Sequence, residues 1–149
     1  NDNAPGQVVI SGHAAAVNQA MAATTQAGSK RSILLAVSAP FHSPLMQPAA
    51  EVMQEALEQT ALQEPTLPVI ANVTARPISD IKSLPPLLAQ QITGRVRWTD
   101  SIKYLAQVGC TEVVEIGSGK VLTGLTKRIG PTLKASAINI PSDLDVFLE

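Results

Sequence analysis

The chain has 149 residues, of which 45% are hydrophobic and 3% aromatic, and its formal net charge is -1. This composition supports one packed domain, or a piece of a larger one, with a core built mainly from Ala, Val, Ile and Leu. Disorder is therefore not the default, and the lack of a basic excess argues against nucleic acid as a partner.

Membrane and cysteine chemistry are excluded next. No apolar run approaches the length of a membrane span, so we expect no membrane partner, and no signal peptide is recognisable. Cys110 is the only cysteine, which excludes an internal disulfide and a cysteine-based zinc site. We expect no metal, and a reducing, cytoplasmic setting fits best.

The first forty residues predict a strand, a helix and a second strand. The apolar run at residues 7–11 follows a Pro-Gly turn and predicts a short strand. Ser11 is a candidate cap for a helix over residues 13–27, which Gly28 ends. The run ILLAV at residues 33–37 predicts a buried strand, which would complete a small α+β layer unit.

Residues 39–44 interrupt that pattern and introduce a long helix. Ser43 is a good N-cap, and Pro44 suits the first helical position because its missing N–H costs nothing there. Apolar side chains three to four positions apart predict one hydrophobic face on this helix: Met46, Ala50, Met53 and Leu57.

The rest of the chain alternates strands and helices, which predicts an α/β fold with a parallel sheet and helices packed on it. We predict strands at residues 69–73, 111–116 and 135–140, and helices at residues 85–93, 98–108, 120–129 and 143–148.

His42 is the sharpest single candidate for chemistry. It lies on the turn between a predicted strand and a capped helix, where functional residues are common in α/β folds. The positive end of the following helix would keep the imidazole uncharged, as a general base requires. An ordinary loop histidine fits the spacing equally well. His13, by contrast, opens an amphipathic helix and is interpreted as a solvated residue.

The turn from Gly117 to Lys120 resembles a phosphate-binding loop but does not match one. That motif needs Gly where Val114 stands and Ser or Thr where Val121 stands. Glycines before a helix can still approach an anion through the helix N-terminal amides. A tight turn with close helix packing is the alternative.

Five stretches, in this order and at these intervals, resemble the malonyl-CoA:acyl-carrier-protein transacylases of fatty-acid synthesis. The resemblance spans nearly the whole chain and is carried by NDNAPGQVVISG at residues 1–12, VSAPFHSPLM at 37–46, ANV at 71–73, VRW at 96–98 and EIGSGKVLTGL at 115–125.

The resemblance implies a fold with a large α/β-hydrolase-like subdomain and a small ferredoxin-like one. Residues 1–38 would belong to the small subdomain, and residues 39–149 would form the C-terminal part of the large one. We therefore expect the chain to be a fragment that lacks the N-terminal half of such an enzyme.

The resemblance also implies a ping-pong acyl transfer with no permanently bound cofactor. A serine attacks the thioester of the substrate malonyl-CoA, His42 takes the serine proton, and the phosphopantetheine thiol of acyl carrier protein then accepts the malonyl group. The main-chain carbonyl of Gln91 would orient His42. The residues implied in substrate binding are Phe41 and Asn3.

Phe41 is implied in the choice of acyl group. In related polyketide acyltransferases, Phe before this histidine accompanies malonyl and Ser accompanies methylmalonyl. A ring there would fill the space of an α-methyl group and give a preference of roughly 1–3 kcal/mol. Plain core packing would explain the same ring.

The serine itself is not in this sequence. No Gly-His-Ser-Leu-Gly elbow is present, and Ser118 lacks the required spacing. The family's arginine for the malonyl carboxylate and its oxyanion glutamine belong to the other half, so we expect no turnover by residues 1–149 alone.

Two other functions remain open at this level. One is a hydrolase of related fold that transfers the acyl group to water. The other is a non-catalytic piece that docks acyl carrier protein through basic side chains, namely Lys30, Arg31, Lys127 and Arg128.

Overall fold

The computed structural model describes residues 1–148. Its helices are α1 (Ala14–Gln26), α2 (Gln47–Glu58), α3 (Leu84–Thr93), α4 (Trp98–Gln107), α5 (Val121–Ile129) and α6 (Pro141–Leu148). Its strands are β1 (Asp2–Ala4), β2 (Gln7–Val8), β3 (Ile70–Ala71), β4 (Arg76–Pro77), β5 (Glu112–Ile116) and β6 (Lys134–Ile138).

The strands pair two by two in the part of the chain that the structure describes. The pairs β1–β2 and β3–β4 are antiparallel, whereas β5 and β6 are parallel, with Val114 opposite Ser136. Parallel neighbours need a crossover connection, and α5 provides it here. This β5–α5–β6 unit confirms the predicted α/β class and its parallel sheet.

The best-buried part of the core lies where the β1–β2 hairpin meets α4 and α5. Ile102 on α4 is 1% exposed, and Ala4 and Leu125 are also buried. Thr99 donates its hydroxyl to the Asp2 carboxylate at 2.8 Å. The Arg128 guanidinium donates to the Pro5 carbonyl and to the Gln7 side chain. Contacts far apart in sequence thus hold the first eight residues against the second half of the chain.

The predicted strand at residues 33–37 is wrong. These residues lie outside any helix or strand, and Leu34 is 67% exposed. A strand forms only when its backbone N–H and C=O groups pair with a neighbour, and apolar composition alone does not supply one. Of the predicted strand–helix–strand unit, β2 and α1 are present. The boundary between residues 38 and 39 stays a prediction.

The side-chain capping bonds expected of Ser11 and Ser43 are not made, although Ser43 and Pro44 do take the predicted N-cap and first helical positions. α1 begins after His13, whose side chain makes no capping bond, rather than at Ser11. The Ser43 hydroxyl donates to the Pro40 carbonyl at 2.7 Å, and a 3-10 turn at Pro44–Met46 precedes α2. Serine is a favoured N-cap residue. The hydroxyl of Ser43 nevertheless bonds to a backbone carbonyl before the helix, and not to a helix amide.

Every helix among residues 1–148 is too short or too polar to traverse a bilayer.

Candidate active site

His42 has an unusual backbone conformation. Its φ is +60°, in the left-handed region that residues other than glycine seldom adopt. Such a conformation costs about 1–3 kcal/mol and persists only where the surroundings enforce it. Here the His42 backbone N–H donates to the Ile92 carbonyl at 3.2 Å, and the neighbouring Ser43 is buried. The chain is bent so that the half-buried imidazole faces the end of α3.

Two main-chain carbonyl oxygens contact the imidazole at Nδ1. The Gln91 oxygen lies 2.9 Å from Nδ1, and the Gly94 oxygen lies 3.2 Å from it. A carbonyl can only accept, so Nδ1 carries the hydrogen and donates it. In the neutral ring, Nε2 then keeps its lone pair and is the nitrogen able to take a proton.

The Gln91 carbonyl lies in the last turn of α3, where helical carbonyls lack partners within the helix, and Gly94 directly follows that helix. An uncharged ring was expected from the N-terminus of the helix that follows it, namely α2. The ring's hydrogen-bond partners lie in the last turn of α3 and directly after it instead. The structure brings His42 and Gln91 together, and their catalytic roles stay predictions.

Asn72 joins this arrangement without having been assigned a role from the sequence. Its side-chain amide donates to Gln91 Oε1 at 3.3 Å, and its main-chain oxygen accepts from the Arg97 N–H at 2.9 Å. Asn72 stands directly after β3, in one of the stretches that carry the resemblance. That stretch was the available signal, but the partner nineteen residues away is visible only in the fold.

The two residues implied in substrate binding lie in different settings. Phe41 is 46% exposed, so it is not plain core in this chain. Asn3 is half-buried on β1, and that strand is joined to the loop after α3 by a bond from Asp2 N–H to the Val96 carbonyl at 2.9 Å. Their contact with substrate stays a prediction.

The turn from Gly117 to Lys120 has an internal anion. The Glu115 carboxylate accepts the N–H groups of Leu122 and Thr123 at 3.1 and 2.8 Å, at the N-terminus of α5. The backbone bond from Thr123 is the largest of the causes that lower the pKa of Glu115, with the Thr123 hydroxyl and the Leu122 N–H adding to it. The helix amides that would approach a bound anion thus already cap a side chain of the protein.

Residues 1–148 contain no cluster of side chains that could hold a metal ion. Within that range no three His, Cys, Asp or Glu side chains converge as a metal site would require.

Comparisons with known proteins identify the relatives of the chain. The malonyl CoA-acyl carrier protein transacylase of Escherichia coli strain K12 is 46% identical over 149 residues, which is 100% of this chain and 48% of that protein. The solved structure of MCAT from Streptococcus pneumoniae has a TM-score of 0.92 and 35% identity, covering 98% of this chain and 48% of that one. The chain matches the C-terminal half of the malonyl CoA-acyl carrier protein transacylases.

Another solved relative is a malonyl-transacylase in complex with a type II PKS acyl-carrier protein. It has a TM-score of 0.85 and 39% identity, and the match covers 89% of this chain and 43% of that one. No family model matches the chain. The chain spans about half the length of the curated relatives it matches.

Proposed function

We propose that this chain supplies the general base of a malonyl-CoA:acyl-carrier-protein transacylase. The observation that carries the proposal is the 2.9 Å contact between His42 Nδ1 and the Gln91 carbonyl oxygen, which leaves Nε2 free to accept a proton. Relatives of this chain are named for that transfer.

In the proposed reaction, a serine outside this sequence attacks the thioester carbonyl of malonyl-CoA. His42 Nε2 takes the serine proton and gives it to the departing coenzyme A thiolate, so that acyl-serine and free coenzyme A result. The phosphopantetheine thiol of acyl carrier protein then gives its proton to Nε2 and attacks the acyl-serine. The malonyl thioester of the carrier forms, and the serine recovers its proton from His42.

Gln91 acts in this proposal through its main-chain oxygen, which carries no full charge. Its role is to fix the tautomer and orientation of the ring and to favour the imidazolium that forms during the reaction. Phe41 and Asn3 are proposed to contact the acyl group. We also propose malonyl-CoA and acyl carrier protein as substrates and the cytoplasm as the setting; support for the carrier comes from the relative solved with one.

The docking alternative has less support from the side chains it would use. Arg128 was one of its four basic groups, and its guanidinium is engaged by the β1–β2 hairpin. The hydrolase alternative differs only in the group that accepts the acyl chain.

The decisive experiment follows a labelled malonyl group. Residues 1–149 alone should transfer none from malonyl-CoA to acyl carrier protein. The assembled enzyme, meaning this chain combined with a serine-bearing N-terminal half such as its relatives have, should place the label on the carrier thiol. Label released as free malonate would favour the hydrolase, and robust transfer by residues 1–149 alone would refute the proposal.

Repeating the assay with methylmalonyl-CoA after Phe41→Ser tests the role of Phe41, since the smaller side chain should admit the methyl group.

A further inference from the structure

Asn72 makes bonds to both ends of one short segment. That segment, residues 91–97, runs from the last turn of α3 to the start of α4. Asn72 donates its side-chain amide to Gln91 Oε1 at one end and accepts the Arg97 N–H on its main-chain oxygen at the other. Asn72 itself is half-buried and follows directly on β3, which pairs with β4.

The same segment supplies the bonds that the structure gives to the ring and backbone N–H of His42. Gln91 and Gly94 accept from the ring Nδ1, and Ile92 accepts from the His42 backbone N–H. A helix end tends to fray because its last carbonyl groups have no partner within the helix. The direction of the Gln91 carbonyl therefore depends on bonds made outside α3, and the bond from Asn72 to the Gln91 side chain is one of them.

We propose that Asn72 is a positioning residue for His42. By holding the Gln91 side chain, it fixes the direction of the Gln91 carbonyl, and through that carbonyl the orientation of the imidazole. This inference rests on the proposed function, because orientation matters only if His42 exchanges protons with the reacting groups. A displacement of about 1 Å in a catalytic group costs on the order of 100-fold in rate.

The variant Asn72→Ala tests the proposal in the assembled enzyme. We expect kcat for malonyl transfer to fall by about 10- to 100-fold. KM should stay within about twofold, because the proposed role is confined to the orientation of the base and includes no contact with substrate.

Asn139→Ala is the matched control. Asn139 directly follows a strand, as Asn72 does, is half-buried, and donates its side-chain amide to a side-chain oxygen, that of Asp143, at 3.4 Å. Both variants should lower stability modestly, whereas only Asn72→Ala should lower kcat. An equal fall in kcat for the two variants would mean that loss of a half-buried amide, and not positioning, explains the effect.

A double variant tests the route through Gln91. Gln91→Ala removes the side chain that Asn72 holds but keeps the main-chain carbonyl that contacts His42. If Asn72 acts through that side chain, then Asn72→Ala combined with Gln91→Ala should be no slower than the slower single variant. Losses that multiply would overturn the route.

Nitrogen-15 NMR of labelled histidine gives a readout independent of turnover. The chemical shifts of His42 Nδ1 and of the proton bound to it should change in Asn72→Ala and stay the same in Asn139→Ala. An unchanged signal in both would overturn the inference. The proposed function and the role of Asn72 can fail separately. If His42→Ala retains malonyl transfer, the proposed function is wrong. If His42→Ala loses transfer but Asn72→Ala has a normal kcat, only the positioning role of Asn72 is wrong.

Discussion

Residues 9–41 and residues 42–138 of this chain differ in how their apolar side chains are used. In the first region α1 buries none of its residues, and the run that includes Ile33 and Leu35 is at least half exposed. In the second region Ile102, Leu125 and Leu133 are buried, and α4 and α5 pack on each other and on β1. The first region is the richer of the two in apolar residues, so burial here depends on whether a neighbouring element is available.

The two histidines show the same contrast for polar groups. His13 lies in the first region at the start of α1, exposed and without a capping bond. His42 begins the second region and is held by three main-chain carbonyls of residues 91–94. A functional group is oriented only where other elements surround it.

The largest expected effect separates these two histidines. In the assembled enzyme His42→Ala should lower kcat/KM for malonyl transfer by about 10²–10⁴-fold, which is the usual contribution of a general base. His13→Ala should leave kcat/KM unchanged. Steady-state assays with acyl carrier protein provide the measurement, and equal effects of the two substitutions would break the comparison.

A second prediction concerns stability. In residues 1–149, Ile102→Ala should lower the free energy of unfolding by about 2–5 kcal/mol, because a fully buried side chain leaves a cavity. Leu35→Ala should change it by less than about 0.5 kcal/mol, because the side chain is half exposed. Urea titrations measure both values. A loss for Leu35→Ala comparable to that for Ile102→Ala would show that residues 33–37 are packed after all.

The smallest expected effect involves Glu115 and depends on pH. Residues 9–41 contain no Asp or Glu, whereas the Glu115 carboxylate caps α5 and has a pKa below its ordinary value of 4.5. A carboxyl group whose pKa is lower in the folded state stabilises that state above its unfolded pKa. The contribution is lost as the pH falls below about 4.5 and through the folded value.

Glu115→Gln should therefore lower the urea midpoint at pH 7, and the gap from the unsubstituted chain should narrow toward pH 3. Glu112→Gln, an exposed change on the same strand, is the control and should leave only a small gap at pH 7. A constant gap for Glu115→Gln would argue that the carboxylate charge contributes nothing.

The part of the fold that was predictable is the part where proline and glycine mark the ends of helices. The helices α3, α4 and α5 lie within a residue or two of their predicted bounds, because Pro85, Gly109 and Gly130 mark their ends. The strand predicted at residues 33–37 was wrong, because the sequence pattern of an apolar strand is the same as that of an apolar stretch with no strand to pair with.

The candidate site was predictable only in part. His42 was a candidate from its place on a turn before a helix, Gln91 was implied by the resemblance alone, and the structure places the two in contact. The bond between Asn72 and Gln91 spans nineteen residues and follows no local rule. The Glu115 cap reaches seven and eight positions ahead, beyond the range of the usual capping motifs.

The hairpin at residues 2–8 has a consequence for how the chain folds during synthesis. Its bonds to Thr99 and Arg128 close loops of 97 and 121 residues, so they are among the most distant contacts in the chain. Contacts at such separations form late, because the ordering of a long loop precedes any gain from closing it. During synthesis, β1 and β2 can therefore complete these bonds only after α5 has left the ribosome. Until then the hairpin stays exposed, and it is the stretch of this chain that a chaperone would have to cover for longest.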